Sequence, residues 1–185
     1  MTQQEIFLEV IDILNNSNIP YMITGALAVS YYGMPRLTHD LDIIIQIDSG
    51  DVDKIFILFS SEFYISKVSI EEAIEHRSTF NIIHLKTSIK VDFWMIGQDE
   101  YEIKKFSRRS KENIFNRAIY LISPEDLLIS KLDWYKMTDV DKHYIDCIGI
   151  YKIQKEKLDI NYIKTWTARK STLSIFEEVS SANLS

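Results

Sequence analysis

The sequence is poor in residues that cross-link, break or anchor a chain. Its 185 residues include one cysteine, Cys147, so no disulfide can form within the chain and a reducing compartment is expected. There is no internal repeat, and the three prolines and five glycines do not gather into a linker. No apolar run approaches the roughly 18 residues of a membrane span, and residues 1–9 lack the basic and apolar regions of a signal peptide. These absences predict a soluble, cytoplasmic protein without a membrane partner.

The composition is that of an ordinary globular protein, with 46% hydrophobic and 26% charged residues. A chain of this length is expected to form one domain, or one domain with a helical addition. The formal net charge of −6 argues against a generally basic nucleic-acid binder. Basic residues gather only within residues 104–111. A solvated charged face is the default interpretation of this cluster, and contact with the phosphates of an RNA is the alternative.

The most informative motif is Asp40-Leu41-Asp42, at the start of an apolar run. In an extended strand, residues i and i+2 point to the same side of the sheet, so the two carboxylates should converge while Leu41 packs on the other side. Two carboxylates so close repel each other unless a cation lies between them. Mg²⁺ is typically bound through one or two carboxylates and substrate phosphates. The motif therefore indicates a metal-dependent enzyme.

A second feature, Gly25-Ala26, lies between a short predicted strand at 21–24 and a predicted helix at 26–32. A strand, a small-residue turn and a helix N-terminus form a site where backbone N–H groups can bind phosphate. Arg36 and Thr38 follow on the approach to Asp40. A phosphate site and a metal site are thus predicted within 18 residues of each other, counted from Gly25 to Asp42.

Together, these residues resemble the core of the DNA polymerase β-type nucleotidyltransferase superfamily. The similarity lies in Gly25-Ala26, then Gly33-x-Pro35-Arg36-x-Thr38-x-Asp40-x-Asp42, and a later Lys90-Val91-Asp92-Phe93. Residues 123–134 and His143-x-x-Asp146 are similar to the helical tail of a bacterial branch that is related to abortive-infection nucleotidyltransferase toxins. The resemblance implies an α+β fold: a nucleotidyltransferase-type mixed β-sheet flanked by helices, followed by a C-terminal helical cap.

The resemblance also implies a reaction. A nucleoside monophosphate would pass from a nucleoside triphosphate to an acceptor hydroxyl. Mg²⁺ or Mn²⁺ would be held by the catalytic residues Asp40, Asp42 and Asp92. The nucleotide and its phosphates would be bound by a second set of residues: Gly25, Ala26, Arg36, Thr38 and Lys131.

The acceptor is left open between RNA such as tRNA, another protein's side chain, and a small molecule such as an aminoglycoside. Similarity to the toxins mildly favours a macromolecule and a neutralising, antitoxin-like partner. Ala26 departs from the usual Gly-Ser or Gly-Gly turn, because it offers a backbone N–H but no hydroxyl. The alternative is therefore an inert module of the same fold, acting in a two-protein system.

Hydrophobic periodicity predicts the remaining elements. Strands are expected at 21–24, 41–47, 63–68, 80–85, 90–96 and 117–122. Helices are expected at 4–16, 26–32, from about 49, at 69–76, 124–137, 139–154 and 159–169, and near the C-terminus. The segment 98–111 has a mixed pattern. Because strands come first and helices last, we expect a catalytic domain at 1–122 and a helical region packed on it at 123–185.

Several single residues have structural interpretations beside functional ones. Lys131 is equally consistent with a surface lysine on an amphipathic helix. Asp146 is equally consistent with a helix-surface acid paired with Lys142 or Lys152. His39 adjoins the carboxylate pair and could orient a water, although a structural role is favoured. The three tryptophans are interpreted as packing residues: Trp94, Trp134 and Trp166.

Overall fold

The computed structural model describes residues 2–38 and 40–182. Within them, the β-strands have these bounds: β1 Tyr21–Ile23, β2 Asp40–Ile45, β3 Phe63–Tyr64, β4 Thr79–His84, β5 Lys90–Met95, β6 Ser110–Ile114 and β7 Arg117–Leu121. The α-helices are α1 Gln3–Asn16, α2 Gly25–Tyr32, α3 Val52–Phe59, α4 Lys67–His76, α5 Glu100–Ser107, α6 Pro124–Thr138, α7 Asp141–Gln154, α8 Ile160–Arg169 and α9 Leu173–Ser181. Short 3₁₀ turns precede α3 and follow α7.

The strands form a single mixed sheet in the order β3-β4-β5-β2-β1-β7-β6. The central strand β2 runs parallel to β5 and antiparallel to β1, which in turn is parallel to β7. The outer pairs β3–β4, β4–β5 and β6–β7 are antiparallel. Residues 43–45 of β2 are buried on both faces, as expected for a central strand with a parallel neighbour. The predicted α+β fold with a mixed sheet and C-terminal helices is confirmed.

The chain divides into two compact units. The first contains the described residues up to Leu27 together with Leu37–Leu121, and includes the whole sheet. The second contains Ala28–Arg36 and the described residues from Ile122 onward. The change of unit at 121/122 lies one residue from the predicted domain boundary, but residues 28–36 group with the C-terminal helices.

Inside the second unit, buried polar contacts hold α6 at its N-terminus. The Ser123 hydroxyl accepts the Asp126 N–H and donates to the Asp126 carboxylate, with a separation of 2.8 Å between the side-chain oxygens. The Tyr162 hydroxyl of α8 donates to the other carboxylate oxygen of Asp126 at 2.7 Å. Pro124 occupies the first turn, as the sequence predicted. No helix among the described residues is both long and apolar enough to cross a membrane.

The structure differs from the predicted elements in two segments. The strand expected at 63–68 ends at Tyr64, because Ser66 caps α4 by accepting the Ser69 N–H, so the helix begins two residues before Ser69. The mixed segment 98–111, for which no element was predicted, contains α5, capped by Asp99, and the first two residues of the edge strand β6. The strand β6 has a mainly polar sequence, so hydrophobic periodicity did not reveal it.

The single cysteine provides a test of the packing in the second unit. Cys147 lies in α7 and is fully buried, with its thiol directed at the Leu128 carbonyl oxygen of α6. Burial raises the pKa of this thiol well above its ordinary value, which disfavours the reactive thiolate. We expect no reaction with a thiol-specific disulfide reagent in the native protein, and reaction of one thiol per chain after denaturation in guanidinium. Rapid labelling of the native protein would contradict this packing.

Candidate active site

The pairing of β2 with β5 places the predicted carboxylates on one face of the sheet. In this parallel register, Asp42 lies opposite Asp92 and Asp40 lies opposite Lys90. Residues opposite each other on neighbouring strands point to the same face, so all four side chains share it. Asp40 is exposed, whereas Asp42 and Asp92 are partly buried. Leu41 is fully buried, as the alternation predicted.

Gly25 lies directly against the Asp42 side chain. The N–H of the preceding residue, Thr24, donates to the Asp42 carbonyl oxygen at 3.0 Å, which joins the end of β1 to β2. Gly25 then takes a left-handed conformation with φ of +65° and begins α2. A Cβ atom at this position would lie 2.0 Å from Oδ2 of Asp42. Only glycine fits here, so the turn that was predicted to bind phosphate lies next to a carboxylate that was predicted to bind metal.

Ala26 and Thr38 are two further residues that were predicted to bind phosphate. Ala26 is the second residue of α2 and is buried. The Thr38 hydroxyl donates to the Asp40 carbonyl oxygen at 3.1 Å and accepts the Asp40 N–H at 3.3 Å, so it fixes the backbone at the start of β2. Contact of either residue with phosphate stays a prediction. His39, between them and the carboxylates, lies outside the described residues.

Asp92 is flanked on β5 by two residues that were not predicted to belong to the site. The ammonium group of Lys90 forms an ion pair with Oδ2 of Asp92 at 2.8 Å. The indole N–H of Trp94 donates to Oδ1 of Asp42 at 3.3 Å. Because Lys90, Asp92 and Trp94 are two residues apart, strand alternation by itself places them on the same face and could have identified the first and the third.

The charges of this face act strongly on Lys90. The hydrogen bond to Asp92 raises the pKa of Lys90 above its ordinary value, and the negative charges of the three aspartates raise it further, against a smaller opposing effect of burial. The lysine therefore stays protonated throughout the neutral range. It supplies a positive charge at a face that would otherwise carry three negative ones.

Arg36 and Lys131, the other predicted phosphate ligands, lie in the second unit and share one carboxylate there. Asp146 of α7 accepts from Nζ of Lys131 at 2.9 Å and from Nε of Arg36 at 3.2 Å. The side chains of Lys131 and Asp146 are 8% and 5% exposed, and that of Arg36 is 29% exposed. The interpretation of Lys131 as a surface lysine is therefore wrong. So is the pairing of Asp146 with Lys142 or Lys152 on the helix surface.

His143 adjoins this group of charges. Its ring stacks on Trp134 with centroids 6.2 Å apart, and its buried Nδ1 has no hydrogen-bond partner among the described residues. Burial lowers the pKa of His143, and the positive charges of Lys131 and Lys142 lower it further. The imidazole of His143 is therefore neutral and lies beside the two cations Arg36 and Lys131. The predicted role of Arg36 and Lys131 in binding phosphate stays a prediction.

The other side-chain interpretations have mixed outcomes. Trp166 is buried, as predicted, but Trp94 and Trp134 are 38% and 42% exposed and are therefore not core residues. The basic cluster at 104–111 is not a continuous solvated face. Lys105 is buried and paired with Glu102, and the guanidinium group of Arg109 lies over the Phe106 ring.

Comparison with known proteins identifies the family. The family model described as aminoglycoside-2''-adenylyltransferase matches residues 6–155, which is most of the chain. The chain belongs to this family. The protein is therefore a nucleotidyltransferase, and the prediction of an enzyme of this class is confirmed. Membership of the toxin-related branch is not shown. A search of curated proteins gave no match.

Solved structures share the fold of the enzyme at low sequence identity. One is ANT(2'')-Ia in complex with adenylyl-2''-tobramycin, with a TM-score of 0.58, 11% identity, and coverage of 93% of this chain and 98% of that one. Another is the lincosamide antibiotic adenylyltransferase LnuA with bound lincomycin, with a TM-score of 0.54, 15% identity, and coverage of 83% and 98%. A third is an antigenic nucleotidyltransferase-like protein from Paracoccidioides brasiliensis, with a TM-score of 0.56, 18% identity, and coverage of 92% and 91%.

Nucleotidyltransferases of this type generally use divalent metal ions, and the residues of this enzyme fit such an ion. Three carboxylates on one sheet face are the oxygen donors that Mg²⁺ and Mn²⁺ prefer. The Lys90 ammonium group already provides a positive charge next to Asp92. In residues 2–38 and 40–182, however, no three His, Cys, Asp or Glu side chains converge as placed to hold a metal ion. Side-chain rotation, including release of Asp92 from Lys90, is therefore required for all three aspartates to bind one.

Proposed function

We propose that the enzyme transfers AMP from ATP to a hydroxyl group of a small, antibiotic-like acceptor, with divalent cations held by Asp40, Asp42 and Asp92. The observation that carries this proposal is the β2–β5 register, which gathers the three carboxylates on the sheet face beside the Gly25 turn. Membership of an adenylyltransferase family supports ATP as the donor. The adenylylated tobramycin in ANT(2'')-Ia and the lincomycin in LnuA support a small-molecule acceptor.

The reaction is an in-line displacement at phosphorus. The acceptor oxygen forms a bond to the α-phosphorus, the bond from that phosphorus to the pyrophosphate oxygen breaks, and the hydroxyl proton passes to the Asp92 carboxylate and from there to solvent. This chemistry requires positioning and charge neutralisation more than covalent catalysis. A bound pair of divalent cations supplies charge neutralisation at the attacking and leaving oxygens and lowers the pKa of the acceptor hydroxyl.

The residues of the enzyme have separate parts in this scheme. Asp40 and Asp42 would hold the divalent cations, and Gly25 would let the first N–H groups of α2 approach the phosphates of the nucleotide. Asp92 would contribute to the same metal site, and its carboxylate would help to remove the acceptor hydroxyl's proton. Thr38 holds the backbone of Asp40 through its two hydrogen bonds. Ala26 contributes only its backbone N–H, so phosphate recognition at this turn does not use a side-chain hydroxyl.

The alternatives from the sequence have less support. An inert module would not need three carboxylates on one face beside a turn that only glycine can form. An RNA acceptor would be favoured by a continuous basic surface, but two members of the 104–111 cluster are packed against their own neighbours. Nothing in the described residues points to an antitoxin-like partner, which stays a prediction.

The test is transfer of radiolabelled AMP. The protein is incubated with α-labelled ATP, Mg²⁺ and a panel of aminoglycosides and lincosamides, and in parallel with a whole-cell extract. We expect label on a small-molecule acceptor, loss of transfer on chelation of Mg²⁺, and a fall of at least about 100-fold in Asp42→Asn, comparable with the loss of a major electrostatic stabiliser.

Asp48→Asn is the matched control, because Asp48 follows the same strand at its far end and caps the 3₁₀ turn before α3. This variant should retain transfer. Label on one RNA or protein species of the extract would replace the small-molecule acceptor with a macromolecule. Transfer that survives in Asp42→Asn would contradict the proposed site.

A further inference from the structure

Lys90 is in direct contact with one of the proposed metal ligands. It is the first residue of β5, and its register partner on β2 is Asp40, while its ammonium group contacts Asp92 at 2.8 Å. The lysine thus lies on the same sheet face as all three carboxylates. Its side chain is 42% exposed and that of Asp92 is 18% exposed, so the ion pair is open to exchange with ions from solvent.

The charge balance of this face gives the lysine a function in the metal-free enzyme. Three carboxylates on one face of two paired strands repel one another, and a cation between them relieves that repulsion. Lys90 is the residue that pairs with Asp92 in this way, and it is covalently fixed in the strand. A divalent cation that uses Asp92 must therefore compete with an ammonium group that never diffuses away.

We propose that Lys90 is an internal counter-ion that competes with the divalent cation for Asp92 and so weakens metal binding to the nucleotide-free enzyme. This inference rests on the proposed metal site. Binding exchanges one ion pair for another: Asp92 leaves the Lys90 ammonium group and joins the metal. Because ATP brings its own cation and its own negative charge, the arrangement favours loading of metal together with nucleotide over loading of metal alone.

The test measures Mn²⁺ affinity without nucleotide and without turnover. The concentration of free Mn²⁺ is measured by electron paramagnetic resonance while Mn²⁺ is titrated into the wild-type protein, Lys90→Met and Lys90→Arg. Lys90→Met keeps the length of the side chain and removes its charge. We expect it to bind Mn²⁺ at least about tenfold more tightly, since even with the full screening of bulk water a unit charge about 4 Å away opposes a divalent cation by this factor or more. Lys90→Arg keeps the charge and should stay within about threefold of wild type.

The melting temperature gives a second readout. In metal-free buffer Lys90→Met should melt below wild type, because the carboxylates lose their counter-ion, and saturating Mn²⁺ should raise its melting temperature by more than that of wild type. Lys86→Met is the matched control, because Lys86 pairs with Glu62 at 3.1 Å outside the carboxylate face. It should change neither Mn²⁺ affinity nor the melting shift.

Two outcomes overturn the inference, and they differ. If Lys90→Met binds Mn²⁺ with wild-type or weaker affinity while Asp42→Asn abolishes binding, the metal site stands and the competition does not exist. If neither wild type nor Lys90→Met binds Mn²⁺ at millimolar concentration, the proposed metal site fails together with the inference.

Discussion

Replacing Gly25 with alanine is expected to lower the rate of AMP transfer by at least about 100-fold. The residue has φ of +65°, a region that costs an alanine about 1–2 kcal/mol. The added methyl group would also lie 2.0 Å from Oδ2 of Asp42, so the carboxylate must move. A displacement of about 1 Å in a catalytic group can cost about 100-fold in rate. The measurement is the initial rate of AMP transfer at saturating ATP, with Mn²⁺ affinity determined in parallel.

The matched control is Gly50→Ala in the same unit. Gly50 lies in the 3₁₀ turn after the far end of β2, and an added Cβ would lie 3.1 Å from Oδ1 of Asp48, a contact that a small side-chain shift relieves. This variant should transfer AMP at the wild-type rate. Gly25→Ala should still fold, with a melting temperature lowered by roughly 2–8 °C. If a folded Gly25→Ala variant transferred AMP at the wild-type rate, the glycine turn would not be required for catalysis.

Replacing Asp146 with alanine is expected to reduce the free energy of unfolding by about 3–5 kcal/mol, the cost of leaving a buried charge without its partner. The Asp146 carboxylate forms an ion pair with Lys131, whose side chain is 8% exposed, and it also pairs with Arg36. Without it, two cations would face each other beside a neutral His143. Urea-induced unfolding followed by circular dichroism measures the loss, and the melting temperature should fall by roughly 6–20 °C.

The comparison variant is Asp133→Ala. Asp133 also lies on α6 and pairs with Lys170 at 2.7 Å, but both side chains are about one quarter exposed, so we expect a loss below about 1 kcal/mol. The double variant Lys131→Met with Asp146→Leu should recover most of the stability, because it removes the two buried charges together and leaves only Arg36, which is 29% exposed and can be solvated. Equal losses in Asp146→Ala and Asp133→Ala would show that the buried pair has no special energetic weight.

The carboxylate site could be predicted from the sequence because it depends on the alternation of side chains within single strands. Strand alternation put Asp40 and Asp42 on one side and Leu41 on the other, and the same rule applied to β5 would have added Lys90 and Trp94 to the face of Asp92. Pairing of β2 with β5 came from resemblance to a known core and not from periodicity. The sequence contained no signal that the indole of Trp94 contacts Asp42, since tryptophan is usually a packing residue.

The ion-pair cluster in the second unit could not be read in this way. Its three members are separated by as many as 110 residues along the chain, and a lysine and an aspartate on amphipathic helices normally face solvent. Their burial depends on how α6 and α7 pack on each other and where residues 28–36 join them. The edge strand β6 was missed for a related reason, because it pairs only with β7 and has few apolar residues to reveal it.

Resemblance to a known core indicated the class of reaction, whereas the amino-acid sequence by itself determined most of the strands and helices, the Asp-x-Asp strand and the glycine turn before it. These features depend on backbone conformation and on neighbours within a few residues, where the alternation of side chains and the freedom of glycine are decisive. The tertiary structure decided which side chains from separate elements meet: Trp94 with Asp42, and Asp146 with Arg36 and Lys131. Coulomb and hydrogen-bond energies depend on distance and burial, and only packing brings residues from distant parts of the chain within that range.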